Sequence, residues 1–251
     1  MRCGLPPAPA GDSLLVSRFL PTREKTNNII SLHRTTSAKT RATATLRQLH
    51  IPPNVSTHIM KFVLTIWLLI FTQFCGAQND FYSRLSSAAL DLTKQQVTYD
   101  PRYFSIPYPN GDVPSDKGVC TDVIIRAYRK MGIDLQKEVH EDMKVNFSVY
   151  PKNWGLTNTD TNIDHRRVPN LMVFFSRKGI KLPISQKPED YLPGEIVCWD
   201  LGGGITHIGF VVNVKDPNSD RYKIVHNIGA GQVVEDCLFK FKIIGHYRYS
   251  G

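Results

Sequence analysis

The stretch that decides the fold is "PGEIVCWDLGGGITHIGFVVNV", residues 193–214. Two runs of β-branched and other apolar residues flank a turn with three glycines, a pattern typical of paired β-strands. Similar short runs follow, separated by turns rich in Gly, Asp and Pro-Asn-Ser. We predict strands at 195–200, 207–214, 222–227 and 242–249, arranged as an antiparallel meander.

The part of the chain before this stretch has helical periodicity. In "SDKGVCTDVIIRAYRKMGIDL", residues 115–135, apolar residues recur from Val123 at helical spacing and the pattern ends at Gly132. Further helices are predicted at 78–98, from 134 onward and after Pro169, with an ordered proline-rich loop over 99–118. Helices first and strands last indicate an α+β fold, with N-terminal helices packed on a C-terminal antiparallel sheet.

Residues 60–77 have the pattern of a secretory signal peptide. Met60 and one lysine precede an apolar run over 62–71, and small residues precede a cleavage site after Ala77. An N-terminal membrane anchor is the alternative. Cleavage leaves 174 residues (251 minus 77), enough for a single domain over 78–251. We therefore predict a secreted or periplasmic protein without a stable membrane span once the signal is removed.

Residues 1–59 are rich in Ser, Thr and Arg and have no sustained hydrophobic period. They resemble a disordered or transit-like leader, or they lie upstream of a true start at Met60, which we favour. Eight basic and two acidic residues give this segment a net charge of +6 out of +9 for the whole chain. Because the basic excess is concentrated there, the charge does not indicate a nucleic-acid partner.

The domain over 78–251 contains three cysteines, Cys120, Cys198 and Cys237. An odd number in an oxidising compartment leaves at least one unpaired thiol. Cys198 and Cys237 either form a disulfide or serve as small buried apolar residues.

One cysteine and two histidines form the constellation that could carry chemistry. Cys120 lies at a predicted helix start, where unpaired backbone N–H groups and the helix dipole stabilise a thiolate. His207 opens an apolar strand and His226 lies on the next predicted strand, so the two rings can lie side by side. In such a trio Cys120 is the nucleophile, His207 the base and acid, and His226 orients His207.

Other interpretations of these residues stay open. Cys120 could be a structural cysteine, or the trio could bind zinc. Within "DHRR", residues 164–167, Arg166 could clamp a substrate carboxylate, or the segment could be a solvated helix start. The segment "LGGGITH" lacks the strand-to-helix setting of a phosphate loop, so we predict no nucleotide cofactor.

The motifs "GVCTDVIIRAYRKMGIDLQ", "NIDHRRVPNL", "PGEIVCWDLGGGITHIGFVV" and "EDCLFKFKIIGHYRY" resemble the bacterial family called domain of unknown function 1287, over residues 88–249. More distantly, the pattern is similar to NlpC-type cell-wall cysteine peptidases of the papain-like superfamily. This resemblance implies a papain/NlpC-like fold and places Tyr108 near the thiolate. The sequence departs from the NlpC pattern at Val119-Cys120-Thr121, where NlpC-type enzymes usually have Asp-Cys-Ser.

Together these observations predict a secreted cysteine amidase or peptidase acting on a peptide or peptidoglycan-like substrate, with no metal or other cofactor. The alternatives are a catalytically inactive ligand-binding module of the same fold and an acyl transferase. The predicted catalytic residues are Cys120, His207 and His226. The predicted substrate-binding residues are Tyr108, Asp122, Arg166 and Asn227.

Overall fold

The structure is a computed structural model that describes residues 53–251, with side chains described for 60–67 and 80–251. The predicted leader over 1–59 lies outside the described residues, except for 53–59. Helix α1, Pro53–Leu92, covers both the predicted signal peptide and most of the predicted helix over 78–98. Leu85, Ala89 and Leu92 of α1 lie in the main hydrophobic core. Among the described helices, none combines the length and the apolar character that crossing a membrane requires.

Three further helices follow, close to the predicted positions. They are α2 (Cys120–Lys130), α3 (Leu135–Asn146) and α4 (Val168–Lys178). The Asp134 side chain accepts a hydrogen bond from the Gln136 backbone N–H and so caps the start of α3. Pro169 occupies the first turn of α4, where a missing N–H carries no penalty. The helix predictions are therefore confirmed.

A six-stranded antiparallel sheet forms the C-terminal half of the domain. Its strands are β3 (Ile180–Lys181), β4 (Ile196–Asp200), β5 (Thr206–Lys215), β6 (Tyr222–His226), β7 (Val233–Glu235) and β8 (Lys242–Arg248). The spatial order is β3-β8-β4-β5-β6-β7. The four predicted strands are confirmed, but the meander holds only from β4 to β7. β8 returns across the sheet to pair with β4.

Two buried clusters lie on the two faces of this sheet. Alternate residues of β5 divide between them, since successive side chains of a strand point to opposite faces. Ile208 and Phe210 pack with residues of α1, α2 and α4 in the main core. We call this side of the sheet the helix-side face. Val211 packs with Trp199 and Leu238 in a second cluster on the other side of the sheet, which we call the outer face. The mixed α+β class is thus confirmed, with helices packed on one face of the sheet.

A short parallel pair of strands leads the chain into α2. β1, Thr98–Tyr99, pairs with β2, Lys117–Gly118, and Tyr99 lies opposite Gly118. The proline-rich segment between them is held by α3, because the Gln136 side chain donates to the Pro107 carbonyl and accepts from the Gly111 N–H. The predicted ordered loop is confirmed. Val119 follows β2 directly and sets the start of α2.

Candidate active site

Cys120 is the first helical residue of α2, and its sulfur is ringed by backbone donors. Val119 is the extended N-cap residue. The backbone N–H groups of Ile208, Thr121 and Cys120 itself lie near the sulfur and favour a thiolate. The side chain is nevertheless only 8% exposed. Burial outweighs the donors and raises the pKa of the Cys120 thiol to about 12, so the thiol is protonated at rest.

His207 and His226 are brought together as the sequence predicts. Nε2 of His207 lies 2.8 Å from Nδ1 of His226, a hydrogen bond between two buried rings. The ladder between β5 and β6 starts at the Phe210–Val225 pair, and the two histidines lie just beyond it. Burial, with a smaller contribution from His226, lowers the pKa of His207 to about 3, so His207 is neutral at rest.

The thiol meets β5 at the residue after His207. Directly opposed residues of antiparallel strands share a face, so His207 lies with Trp199 on the outer face, and their rings are 5.7 Å apart. Cys120 belongs to the helix-side core and contacts the Ile208 N–H. Within the described part of the chain, no hydrogen bond joins Cys120 Sγ to the His207 ring. At rest, the neutral Cys120 thiol therefore lies next to the backbone of β5, while the neutral His207 ring projects from the same strand on the outer face.

Glu235, which the sequence did not single out, and Cys237 complete the polar cluster. Nε2 of His226 lies 3.2 Å from Oε2 of Glu235 and 3.6 Å from Sγ of Cys237. Glu235 comes from β7, a strand too short to show a strand period, and it lies diagonally across from His226 on the same face. The imidazole pair thus continues to a carboxylate, which can fix the His226 tautomer.

The tyrosine beside the thiol is not the predicted one. The Tyr108 hydroxyl donates to Glu141, and its ring packs against His140 of α3. Tyr99 lies near the sulfur instead: burial raises the pKa of Tyr99 most, and the neighbouring Cys120 and Asp122 raise it further. The proline-rich segment packs against α3 and places Tyr108 there, while the β1–β2 pair brings Tyr99 to the start of α2. Substrate binding by Tyr108 stays a prediction.

Asp122 and Arg166 are structural partners of each other. The two side chains form a buried bidentate ion pair with N–O distances of 2.9 and 3.0 Å. Asp122 also accepts from the Val119 N–H at 2.7 Å, and the Thr121 hydroxyl donates to the Arg166 carbonyl. Substrate binding by these two residues stays a prediction. The ion pair holds the first turn of α2, and with it Cys120, against the 164–167 segment.

Asn227 has a related positioning role. Its side chain is fully buried, donates to the Gly118 carbonyl and accepts from the Gly229 N–H, both at 3.2 Å. These bonds use both ends of the amide, and the predicted substrate contact stays a prediction. Asn227 ties the end of β6, next to His226, to the residue two places before Cys120.

The described cysteines form no disulfide, and all three are buried. Cys198 lies in the helix-side core, whereas Cys237 lies in the outer-face cluster. Since the sheet separates these two residues, a bond between them would require the sheet to break. Of the two interpretations of Cys198 and Cys237, the structure supports that of small buried residues.

Asp164 and His165 are also buried and Arg167 is half-buried, so the segment is not a solvated helix start. Asp164 Oδ2 accepts from the Asp160 N–H and lies 3.0 Å from Nδ1 of His140. His165 is 1% exposed, and its Nδ1 has no hydrogen-bond partner. Burial, followed by the charges of Arg166 and Arg129, lowers the pKa of His165 to about 3.

This histidine makes the fold sensitive to acid. Between about pH 3 and pH 6.5 the unfolded chain binds a proton at His165 that the folded chain does not, so stability falls as pH falls through this window. At pH 5 we expect His165 alone to cost about 2 kcal/mol relative to pH 7.5. Urea unfolding at both pH values should therefore show a smaller pH dependence for His165→Gln than for the wild type. Equal pH dependence in the two proteins would contradict the buried neutral histidine.

The comparisons with known proteins agree with the motifs. The family model described as "Domain of unknown function (DUF1287)" matches residues 86–249. The chain is also 50% identical over 166 residues to the uncharacterized protein YijF of Escherichia coli (strain K12), covering 64% of this chain and 80% of that protein. Every element from α2 to β8 lies within the matched range. The chain therefore belongs to the family named domain of unknown function DUF1287.

Proposed function

We propose that residues 78–251 form a secreted or periplasmic cysteine hydrolase that cleaves an amide bond in a peptide of the bacterial cell wall. One observation carries the proposal. The Cys120 sulfur, at a helix start, lies near the backbone N–H of Ile208, and the residue before Ile208, His207, is hydrogen-bonded to His226 at 2.8 Å. The similarity in residue order to NlpC-type peptidases supports both the papain/NlpC-like assignment and the choice of substrate.

The hydrogen bonds favour one set of tautomers for catalysis. If Nε2–H of His226 donates to Glu235, then Nδ1 of His226 is an acceptor, and Nε2–H of His207 donates to it. Nδ1 of His207 is then left with its lone pair, ready to take the thiol proton. His226 and Glu235 stabilise the imidazolium that forms, as an orienting group does in a catalytic triad.

Proton transfer accompanies attack in this proposal, because both groups are neutral at rest. As the Cys120 sulfur bonds to the substrate carbonyl carbon, its proton passes to His207 and the carbonyl oxygen becomes an oxyanion. The N–H groups of Cys120 and Thr121 are placed to donate to that oxyanion. His207 then protonates the leaving amine, the C–N bond breaks, and water hydrolyses the resulting thioester.

Reaching this geometry requires the start of β5 to turn the His207 ring from the outer face toward the helix side, where the Cys120 sulfur lies. The turn that leads into β5 has open space around it, because Gly202, Gly203 and Gly204 all have positive φ and a Cβ atom at any of them would meet no atom within 4 Å. Substrate binding over this turn would close the distance, as active-site loops do in many enzymes.

The burial of the Cys120 thiol also favours a second candidate function. A buried Cys120 without a hydrogen bond to His207 suits a ligand-binding module that keeps the fold without catalysis. Such a module would bind peptidoglycan but release no new amino groups from it.

Digestion of purified peptidoglycan tests the proposal. We expect the wild type to release amino groups and His207→Ala to be slower by about 10²- to 10⁴-fold, the usual contribution of general acid–base catalysis. His140→Ala is the matched control, since His140 contacts Asp164 and not the cluster of His207. A His207→Ala protein as fast as the wild type would exclude the mechanism. Binding of peptidoglycan by the wild type without release of amino groups would favour the module.

A further inference from the structure

His226, Glu235 and Cys237 form a cluster that amide hydrolysis uses only in part. Their potential ligand atoms, an imidazole nitrogen, a carboxylate oxygen and a sulfur, all lie within 4.8 Å of one another. His226 and Cys237 are buried on the outer face, while the Glu235 side chain is 40% exposed. The cluster is thus fixed on its inner side and open to solvent on the other.

The distances in this cluster match those between the ligands of a tetrahedral zinc ion. Zinc bonds of about 2.05 Å to nitrogen, 2.1 Å to oxygen and 2.3 Å to sulfur place the N and S ligands about 3.6 Å apart and the N and O ligands about 3.4 Å apart. The observed separations are 3.6 Å for His226 Nε2 to Cys237 Sγ and 3.2 Å for Nε2 to Glu235 Oε2. A metal could therefore replace the proton between these atoms with little movement.

The cluster also has the outer hydrogen bond that metal-binding histidines need. A ligating histidine almost always donates its other ring N–H to a neighbouring acceptor, which fixes its tautomer. Here Nδ1 of His226 lies 2.8 Å from Nε2 of His207, which can accept that proton. His207 is itself held against Trp199.

We propose that His226 Nε2, Glu235 and Cys237 bind a zinc ion, with the fourth position open to water. The mixed N, O and S donor set suits zinc, and an open fourth position is usual when the protein supplies three ligands. On binding, the Cys237 thiol releases its proton to solvent and the sulfur bonds to the metal as a thiolate.

Zinc at this site would oppose the proposed hydrolysis, and this consequence rests on the proposed function. A metal on Nε2 of His226 forces its proton onto Nδ1, which then donates to Nε2 of His207. A neutral His207 that accepts at Nε2 carries its proton on Nδ1 and cannot take another there from Cys120. The site would therefore act as a metal-controlled switch that holds the imidazole pair in the inactive tautomers.

Equilibrium dialysis of the untagged full chain against Zn²⁺, followed by metal analysis, tests the site without reference to activity. We expect one zinc per wild-type chain and at least tenfold weaker binding by Cys237→Ser. Cys198→Ser is the matched control, a buried thiol on the opposite face, and should bind as the wild type does. Glu235→Gln, a change at a partly exposed side chain that leaves packing intact, should also weaken binding at least tenfold.

Two outcomes would overturn the site: no zinc bound by the wild type, or equal zinc binding by the wild type, Cys237→Ser and Glu235→Gln. Substitution with Co²⁺ gives a second readout, because a thiolate ligand produces a charge-transfer band that should vanish in Cys237→Ser and persist in Cys198→Ser. If peptidoglycan is digested, added zinc should slow the wild type at least tenfold and slow Cys237→Ser far less, relative to its own metal-free rate. Zinc binding in a protein that digests nothing would leave the site standing and remove only the switch.

Discussion

Cys120→Ala is expected to reduce the release of amino groups from peptidoglycan by a factor on the order of 10³ or more, since removing the nucleophile removes the covalent step. The alanine occupies the same place at the start of α2 and keeps the buried ion pair of Asp122 beneath it. The loss should therefore appear in the turnover rate, while folding, measured by thermal unfolding, changes little.

Cys198→Ala is the matched control for this change. Cys198 is a buried thiol in the same core and pairs directly with Ile208, the residue whose N–H contacts the Cys120 sulfur. We expect this variant to lose about 1 kcal/mol of stability from the small cavity and to keep its activity. Equal activity of Cys120→Ala and the wild type would show that the sulfur does no chemistry. Equal loss in both alanine variants would assign the effect to packing.

Asp122→Ala is expected to have the largest effect on stability. It leaves the buried Arg166 guanidinium without its carboxylate partner and removes the acceptor for the Val119 N–H. Breaking a buried ion pair from one side costs about 3–5 kcal/mol, and the cap adds to this. Urea unfolding at neutral pH should show this loss. The activity of the folded fraction should fall as well, because the first turn of α2 places Cys120.

Asp91→Ala provides the contrast within the same protein. Asp91 pairs with Lys94 at 2.7 Å, but both side chains are largely exposed, so Asp91→Ala should lower the free energy of unfolding far less than Asp122→Ala does. Changing both partners, in Asp122→Ala with Arg166→Met, should restore part of the stability that Asp122→Ala loses, because no charge is then left buried alone. If Asp122→Ala is no less stable than Asp91→Ala, the ion pair does not hold the start of α2.

The elements that were predictable from sequence are those set by local pattern. The amphipathic period from Val123 and the stop at Gly132 locate α2, and the apolar runs around the three glycines locate β4 and β5. β3 and β7 have two and three residues, too few for a period to appear. The place of β8 beside β4 depends on tertiary packing, and no local signal distinguishes it from the next strand of a meander.

The contacts of the candidate site also divide into those that local sequence pattern predicts and those that depend on tertiary packing. His207 and His226 could be paired from sequence because they lie on consecutive strands. The partners of Arg166 and His226 could not, since Asp122 is 44 residues away from the first and Glu235 lies on an unpredicted strand. "DHRR" looks like a surface segment because four polar residues stand together. Arg166 of this segment can be buried because Asp122 of α2 supplies the opposite charge, and the sequence alone does not show that pairing.

The most direct test of the central claim is the rate at which each thiol of the folded protein reacts with iodoacetamide at neutral pH, followed by peptide mass spectrometry. Burial raises the pKa of all three thiols, so without assistance all should react slowly. If the start of β5 also turns in the free protein, so that His207 accepts the proton of Cys120, then Cys120 should react at least tenfold faster than Cys198 and Cys237, and His207→Ala should abolish the difference. If all three thiols stay unmodified until denaturant is added, Cys120 is a core residue and the account is wrong.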